Sequence, residues 1–256
     1  MKKNILAALV ALLSFTGWAE QGQAQTENTM TKPKVIFFDV NETLLDLGTM
    51  RVSVSKALGG RDDLLALWFS TMLHHSLVDT TTGRFHTFGT IGVASLMMVA
   101  ESNGIALSEE DARTAIVTPL RSLPPHGDVI EGLAALKKQG FTLISLTNSS
   151  NKGVETQFKN AGLTDFFERR LSVEDIKTYK PDLRAYEWAL KEMGVKPEEA
   201  MLVAAHGWDI AGAKAAGMQA TFVARPGKAL YPLAAKPDYI VDNLSELVTI
   251  FEEKAE

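Results

Sequence analysis

The sequence predicts an α/β fold, a doubly wound parallel sheet interrupted by a helical insert, on three observations. An apolar strand near residue 35 runs directly into an aspartate and a polar turn. The stretch that follows, to about residue 122, has helical periodicity and almost no strand signal. From Asp128 onward helix and strand alternate regularly.

The first strand is read from residues 34–46, KVIFFDVNETLLD. Val35, Ile36, Phe37 and Phe38 are an unbroken apolar run, the pattern of a strand covered on both faces. Asp39 then stands at the strand's carboxyl end, where open α/β sheets place their ligands. A carboxylate there, beside free backbone N–H groups, is a candidate covalent nucleophile; a simple turn cap is the plainer alternative. In the insert, Leu64, Leu65, Leu67, Trp68, Met72 and Leu73 mark one amphipathic helix. Ile91, Ala94, Met97, Met98 and Ala100 mark another. Ser108 before three acids reads as a helix N-cap, and LPPHGD at 123–128 closes the insert.

The alternation that follows predicts a helix at 128–138, a strand at Phe141–Leu146 and a helix at 151–161. A short strand near Arg170–Ser172, a helix at 182–193, a strand at Met201–Ala205 and a helix at 209–217 come next. Strands at Ala220–Ala224 and Tyr239–Val241 and a helix at 244–254 complete the series. Right-handed crossovers would make the sheet parallel. The expected organisation is a core formed by 33–46 and 123–256, with 47–122 as a helical cap over the sheet's carboxyl edge.

With 256 residues, 46% of them hydrophobic and 22% charged, the chain can bury a sizeable core and carry one insertion. A net charge of −5 without a basic stripe argues against nucleic acid as a partner. The lack of cysteine rules out disulfides, thiolate metal sites and a cysteine nucleophile. Lys2 and Lys3 precede an apolar run from Ile5 to Ala19, and Gly22-Gln23-Ala24 offers small residues for cleavage. Residues 1–24 therefore read as a secretory signal peptide, with periplasmic or secreted location and no stable membrane anchor after cleavage. A start at Met30 would instead leave the protein in the cytoplasm.

Each core strand delivers polar residues where it stops. The second ends in Leu146-Thr147-Asn148-Ser149-Ser150, the loop before the helix at 182 holds Tyr179-Lys180-Pro181-Asp182, and the fourth strand ends in Ala205-His206-Gly207-Trp208-Asp209. With Asp39 these bring an acid, a hydroxyl, a lysine and a His/Asp pair to one edge, a constellation unlike that of scattered caps and surface charges.

The order DxNxT, LTN, YKPD and WD around a helical insert resembles the haloacid dehalogenase superfamily. Within it, YKPDLRAYEWAL and HGWDIAGAKAAGM resemble the L-2-haloacid dehalogenase (haloacid dehalogenase type II) subgroup. The resemblance spans roughly residues 33–250. It implies a Rossmann-like core, a cap of four to five helices, Asp39 as nucleophile, Thr147 and Asn148 on the substrate carboxylate, and Lys180 as central charge. Phosphatases of the superfamily carry a second aspartate two residues after the nucleophile, to protonate a leaving alcohol. This chain has Asn41, which cannot act as a general acid, whereas a leaving halide needs no proton. Only Asp209 could add an acid for magnesium, too few anionic oxygens for a hard cation, so it is read as the partner that orients Lys180.

The chain departs from the subgroup pattern at several positions. Phe69 stands where an arginine usually receives the halide, so either Asn41, His74 or Trp208 takes that task or the substrate is different. His206 replaces a usual asparagine, and Ala204 a serine two residues earlier. Glu42 replaces a usual glycine. Turned inward, Glu42 would hydrogen-bond one nitrogen of His206 and leave the other free to take a proton from water, a dyad for hydrolysing an ester at Asp39. Val40 and Asn41 would line the site beside the nucleophile, and Leu45, Phe69, Leu73, Phe88 and Trp208 would wall a small apolar pocket.

The expected reaction is hydrolytic, metal-independent dehalogenation of short (S)-2-haloacids to (R)-2-hydroxyacids through an aspartyl ester, with no cofactor. The expected partner is the small haloacid alone, with a homodimer possible as in the subgroup. The alternatives are a magnesium-dependent phosphatase and a non-catalytic exported binding protein on the same fold.

Overall fold

The computed structural model describes residues 31–253, so the signal-peptide expectation lies outside the described residues. Six parallel strands form one sheet in the order β3-β2-β1-β4-β5-β6. They are β1 (Val35–Phe38), β2 (Thr142–Thr147), β3 (Arg169–Ser172), β4 (Ala200–Ala204), β5 (Gln219–Val223) and β6 (Tyr239–Val241). The α/β fold with flanking helices is the one expected. The first strand lies at the centre, with Val35 level with Thr142 on one side and Ala200 on the other.

The apolar run of β1 is divided between two cores, as period-two geometry requires. Ile36 and Phe38 face the core built with α5 (Val129–Lys138), α6 (Asn151–Ala161) and α9 (Leu244–Glu253). Val35 and Phe37 face the one built with α7 (Leu183–Met193) and α8 (Gly207–Ala215). Between β1 and α5 the chain forms four α-helices: α1 (Gly48–Ala57), α2 (Leu65–Thr82), α3 (Phe88–Ser102) and α4 (Glu109–Leu120). Thr87 and Ser108 cap α3 and α4, accepting from Thr90 N and Asp111 N. Trp68 Nε1 donates to the Gly92 carbonyl at 2.9 Å and joins α2 to α3. No helix among the described residues is long and apolar enough to cross a membrane.

Several boundaries differ by one or two residues from the sequence expectation, and one shift matters. The strand β4 stops at Ala204 and α8 starts at Gly207, so His206 occupies the N-cap position instead of the strand end. Parallel pairing sets the boundary: Ala204 is the last β4 residue opposite β5, at Phe222.

Two clamps fix the carboxyl edge of the sheet. Arg225, nearly buried, donates to the Thr43 carbonyl at 3.0 and 3.2 Å and forks onto Asp128 at 2.8 and 3.0 Å. Asp128 also accepts the Leu244 N–H at 2.7 Å, which ties the turn after β1 to α5 and α9. Across the cap, Tyr179 N donates to Thr80 Oγ1 at 3.1 Å and its hydroxyl to the His86 carbonyl, so the segment before Lys180 hangs on α2 and its exit loop.

Gly212 on α8 admits the Tyr186 ring so closely that an added Cβ would lie 2.6 Å from Tyr186 Cε2. Gly212→Ala is therefore expected to lose about 1–3 kcal/mol through overpacking, read by urea denaturation. An unchanged midpoint would contradict this packing.

Candidate active site

Asp39 follows β1 at the centre of the sheet, and Lys180 arrives from the loop before α7. The Lys180 ammonium is completely buried and donates to Asp39 Oδ1 at 3.1 Å, Asp209 Oδ2 at 2.6 Å and the Leu146 carbonyl at 2.8 Å. Tyr186 donates to the other Asp209 oxygen at 2.6 Å. Asp209 is thus the shortest carboxylate contact of Lys180. Burial alone would raise the Asp39 pKa, but the Lys180 charge and the hydrogen bonds from His206 and Thr43 hold it well below the carboxylate range. Burial also opposes the charge on Lys180, yet Asp209 and Asp39 together raise its pKa.

Glu42 does turn inward: His206 Nε2 lies 2.8 Å from Glu42 Oε2. The second ring nitrogen is not free, however. Nδ1 lies 3.1 Å from Asp39 Oδ2, so both nitrogens face carboxylates. Burial would lower the His206 pKa, but its bonds to Asp39 and Glu42 and their charges push it up to about 9. The nitrogen expected to be free for water therefore faces Asp39 instead, and the two carboxylates favour the charged form of the ring. Lys228, from the loop after β5, reaches Glu42 Oε2 at 2.6 Å. Glu42 itself has φ 63°, the left-handed region that glycine enters freely and other residues enter at a cost of about 1 kcal/mol or more.

The remaining expected residues divide. Thr147 is buried beside the site, its Oγ1 accepting the Ser149 N–H at 3.0 Å, which leaves its own proton to give. Asn148 is spent on the backbone of Lys180, accepting its N–H at 3.0 Å and making a long 3.5 Å contact to its carbonyl. Its side-chain oxygen thus holds the Lys180 backbone. Asn41 donates to Ser149 Oγ at 3.1 Å and accepts from Gln157 at 2.9 Å. Val40 buries its side chain and contributes only backbone, its carbonyl accepting from Leu44 and Leu45. His74 is exposed against His75 and does not face the centre.

Phe69 and Trp208 stack on the His206 ring, with centroids 6.0 and 5.0 Å away. Phe69 and Phe88 also line a narrow apolar crevice of about 20 Å³ beside Asn41, room for one water. Met72, not Leu73, completes this wall, because Trp68 and Met72 are one turn apart on α2. Leu45 is withdrawn into a bridge with Pro125. A wider cleft of about 420 Å³ reaches Ser149 and Gln157, the partners of Asn41, past Arg113, Arg121 and Lys152. Among the described residues no group of three or more His, Cys, Asp or Glu is arranged to hold a metal ion.

Sequence reasoning left Thr43, Tyr186, Ser149, Gln157 and Lys228 without a role. Thr43 donates to Asp39 Oδ2 at 2.7 Å and accepts the Ala205 N–H at 2.9 Å. It is the T of DxNxT, and Tyr186 lies within YKPDLRAYEWAL, so both carried a signal. Lys228 carried none.

Residues 33–217 match the family described as haloacid dehalogenase-like hydrolase. The chain is 32% identical to (S)-2-haloacid dehalogenase 1 of Pseudomonas sp. (strain CBS-3), over 82% of this chain and 92% of that one. It is 30% identical to (S)-2-haloacid dehalogenase of Pseudomonas sp. (strain YL), over 87% and 96%. The fold matches that of L-2-haloacid dehalogenase from Xanthobacter autotrophicus with a TM-score of 0.79 and 24% identity, over 86% of this chain and 98% of that chain.

A raised histidine pKa stabilises the fold fully below the ordinary value of 6.5, and the gain is lost as pH rises through about 9. Between about pH 6 and about pH 10 the protein should lose about 3 kcal/mol more than His206→Gln does, measured by urea denaturation. Parallel curves for the two proteins would contradict the paired imidazolium.

Proposed function

The chain belongs to the haloacid dehalogenase-like hydrolase family, and from that premise we propose that it hydrolyses short (S)-2-haloacids to (R)-2-hydroxyacids through an ester on Asp39. The observation that carries this reading is the Asp39–Lys180–Asp209 arrangement. A nucleophilic carboxylate kept ionised by a buried ammonium suits displacement of a leaving group that needs no proton. Asp39 attacks C2 in line with the carbon–halogen bond, the halide leaves with the bonding pair, and the centre inverts. Water then hydrolyses the ester. The same ammonium stands between the two carboxylates that a divalent cation would need, which supports metal independence.

The Thr147 hydroxyl, with a proton to give, is suited to the substrate carboxylate. The cleft past Arg113, Arg121 and Lys152 favours the approach of an anion. For the halide, Trp208 is the best supported receiver. Its ring lies against His206 and 5.8 Å from Lys180 Nζ, and its buried Nε1–H has no partner among the described residues. An unsatisfied buried donor is costly unless something fills it. Export through the segment Lys2–Ala24 belongs to the same proposal, tested by sequencing the amino terminus of the protein recovered from the periplasm.

Halide release from (S)-2-bromopropionate in EDTA, absent with the (R) form and absent in Asp39→Asn, is the expected result. Release that requires magnesium, or none from either enantiomer, would overturn the reading. Trp208→Phe keeps the ring and removes the donor. It should slow halide release about tenfold, the worth of one hydrogen bond of about 1.5 kcal/mol. An unchanged rate would place the halide elsewhere.

A further inference from the structure

The two oxygens of Asp39 are held differently. Among the described residues, Oδ1 receives the Lys180 ammonium alone, at 3.1 Å. Oδ2 receives the Thr43 hydroxyl at 2.7 Å and His206 Nδ1 at 3.1 Å. Thr43 accepts the Ala205 N–H, so its single proton is committed to Asp39. His206 is committed by its other nitrogen, which faces Glu42, itself tied to Lys228.

We propose that His206 acts as a cation and not as a base: with Thr43 it cradles Asp39 Oδ2, so that Oδ1 attacks the substrate and Oδ2 remains as the ester carbonyl, whose charge the cradle holds when water adds. This deepens the dehalogenase reading and rests on it. In the first step Oδ1 bonds to C2 while the carbon–halogen bond breaks and halide takes the pair. In the second, water bonds to Cγ and the carbonyl pair moves onto Oδ2, between the imidazolium and Thr43 Oγ1, as in an oxyanion hole. Collapse breaks the Cγ–Oδ1 bond. Oδ1 departs with the hydroxy acid and takes a proton from Lys180 Nζ, its neighbour. The neutral amine recovers one proton from the added water, and the second goes to solvent as Asp39 ionises again.

The surroundings of His206 favour the cation. The carboxylates of Asp39 and Glu42 face its two nitrogens, with Lys180 and Asp209 behind Asp39 and Lys228 behind Glu42. The rings of Phe69 from α2 and Trp208 from α8 stack on it, an environment that suits a cation. Its pKa, pushed up to about 9, agrees with the geometry. Glu42 is a positioning residue in this scheme, since it acts on the ester through His206.

Two measurements test the assignment. In nitrogen-15 NMR of the full chain without substrate, the His206 ring, identified by its loss in His206→Gln, should carry protons on both nitrogens at neutral pH. Glu42→Gln should shift its titration to lower pH. A neutral His206 in the unmodified protein would overturn the proposal. In single turnovers with (S)-2-chloropropionate, followed by intact mass, ester hydrolysis should slow as pH rises through the alkaline range. Glu42→Gln should move that fall to lower pH. Hydrolysis that instead speeds up through the histidine titration would mark a base and overturn the cationic role alone. An enzyme that forms no ester with any haloacid would overturn the dehalogenase reading, and this role with it.

Discussion

The active site is organised around one buried ammonium. Lys180 is fully enclosed, and burying such a charge would be prohibitive without the carboxylates of Asp39 and Asp209 and the Leu146 carbonyl. The dependence runs both ways, because without Lys180 Asp39 Oδ1 and Asp209 Oδ2 would both lose their ammonium partner. Much of the remaining architecture serves this contact. Tyr186 steadies Asp209, Gly212 makes room for Tyr186, Asn148 holds the Lys180 backbone, and Tyr179 ties the same segment to the cap.

A second set of charges is built against the first. Glu42 sits at φ 63°, where glycine would be relaxed, and its side chain spans His206 and Lys228. Such backbone strain persists only where the surrounding contacts hold it, here those to His206 and Lys228. Phe69 stacks on the imidazole, where the resemblance predicts an arginine. Lys228, behind Glu42, lies 5.4 Å from the Phe69 ring centre.

Much of this was legible in the sequence, for identifiable reasons. The run Val35–Phe38 predicts a central strand because only burial on both faces tolerates four consecutive apolar residues. Ser108 before its acids predicts the start of α4 because capping is local. Strand ends are where ligands bind, so Asp39 and Thr147 could be gathered before any coordinates, and the motifs YKPD and WD added Lys180 and Asp209. The inward turn of Glu42 onto His206 was also foreseen. The fate of the second imidazole nitrogen was not, because it depends on where α8 begins, which pairing between β4 and β5 decides. Lys228 was invisible for a related reason: its loop returns to the site through the tertiary path of β5, with no local pattern to mark it. The bond from Asn148 to the Lys180 backbone was not foreseen either, because an amide at a strand end can serve a ligand or the neighbouring backbone, and only the fold shows which contacts it makes.

The central claim, that Asp39 is a covalent nucleophile, is tested most directly by oxygen-18. In a single turnover with enzyme in excess over (S)-2-chloropropionate in labelled water, the label should enter Asp39. It would be read as a mass gain in the tryptic peptide 35–51, with an unlabelled hydroxy acid as product. Label in the product and none in the peptide would mean that water attacks carbon directly, and the account built on Asp39 would be contradicted.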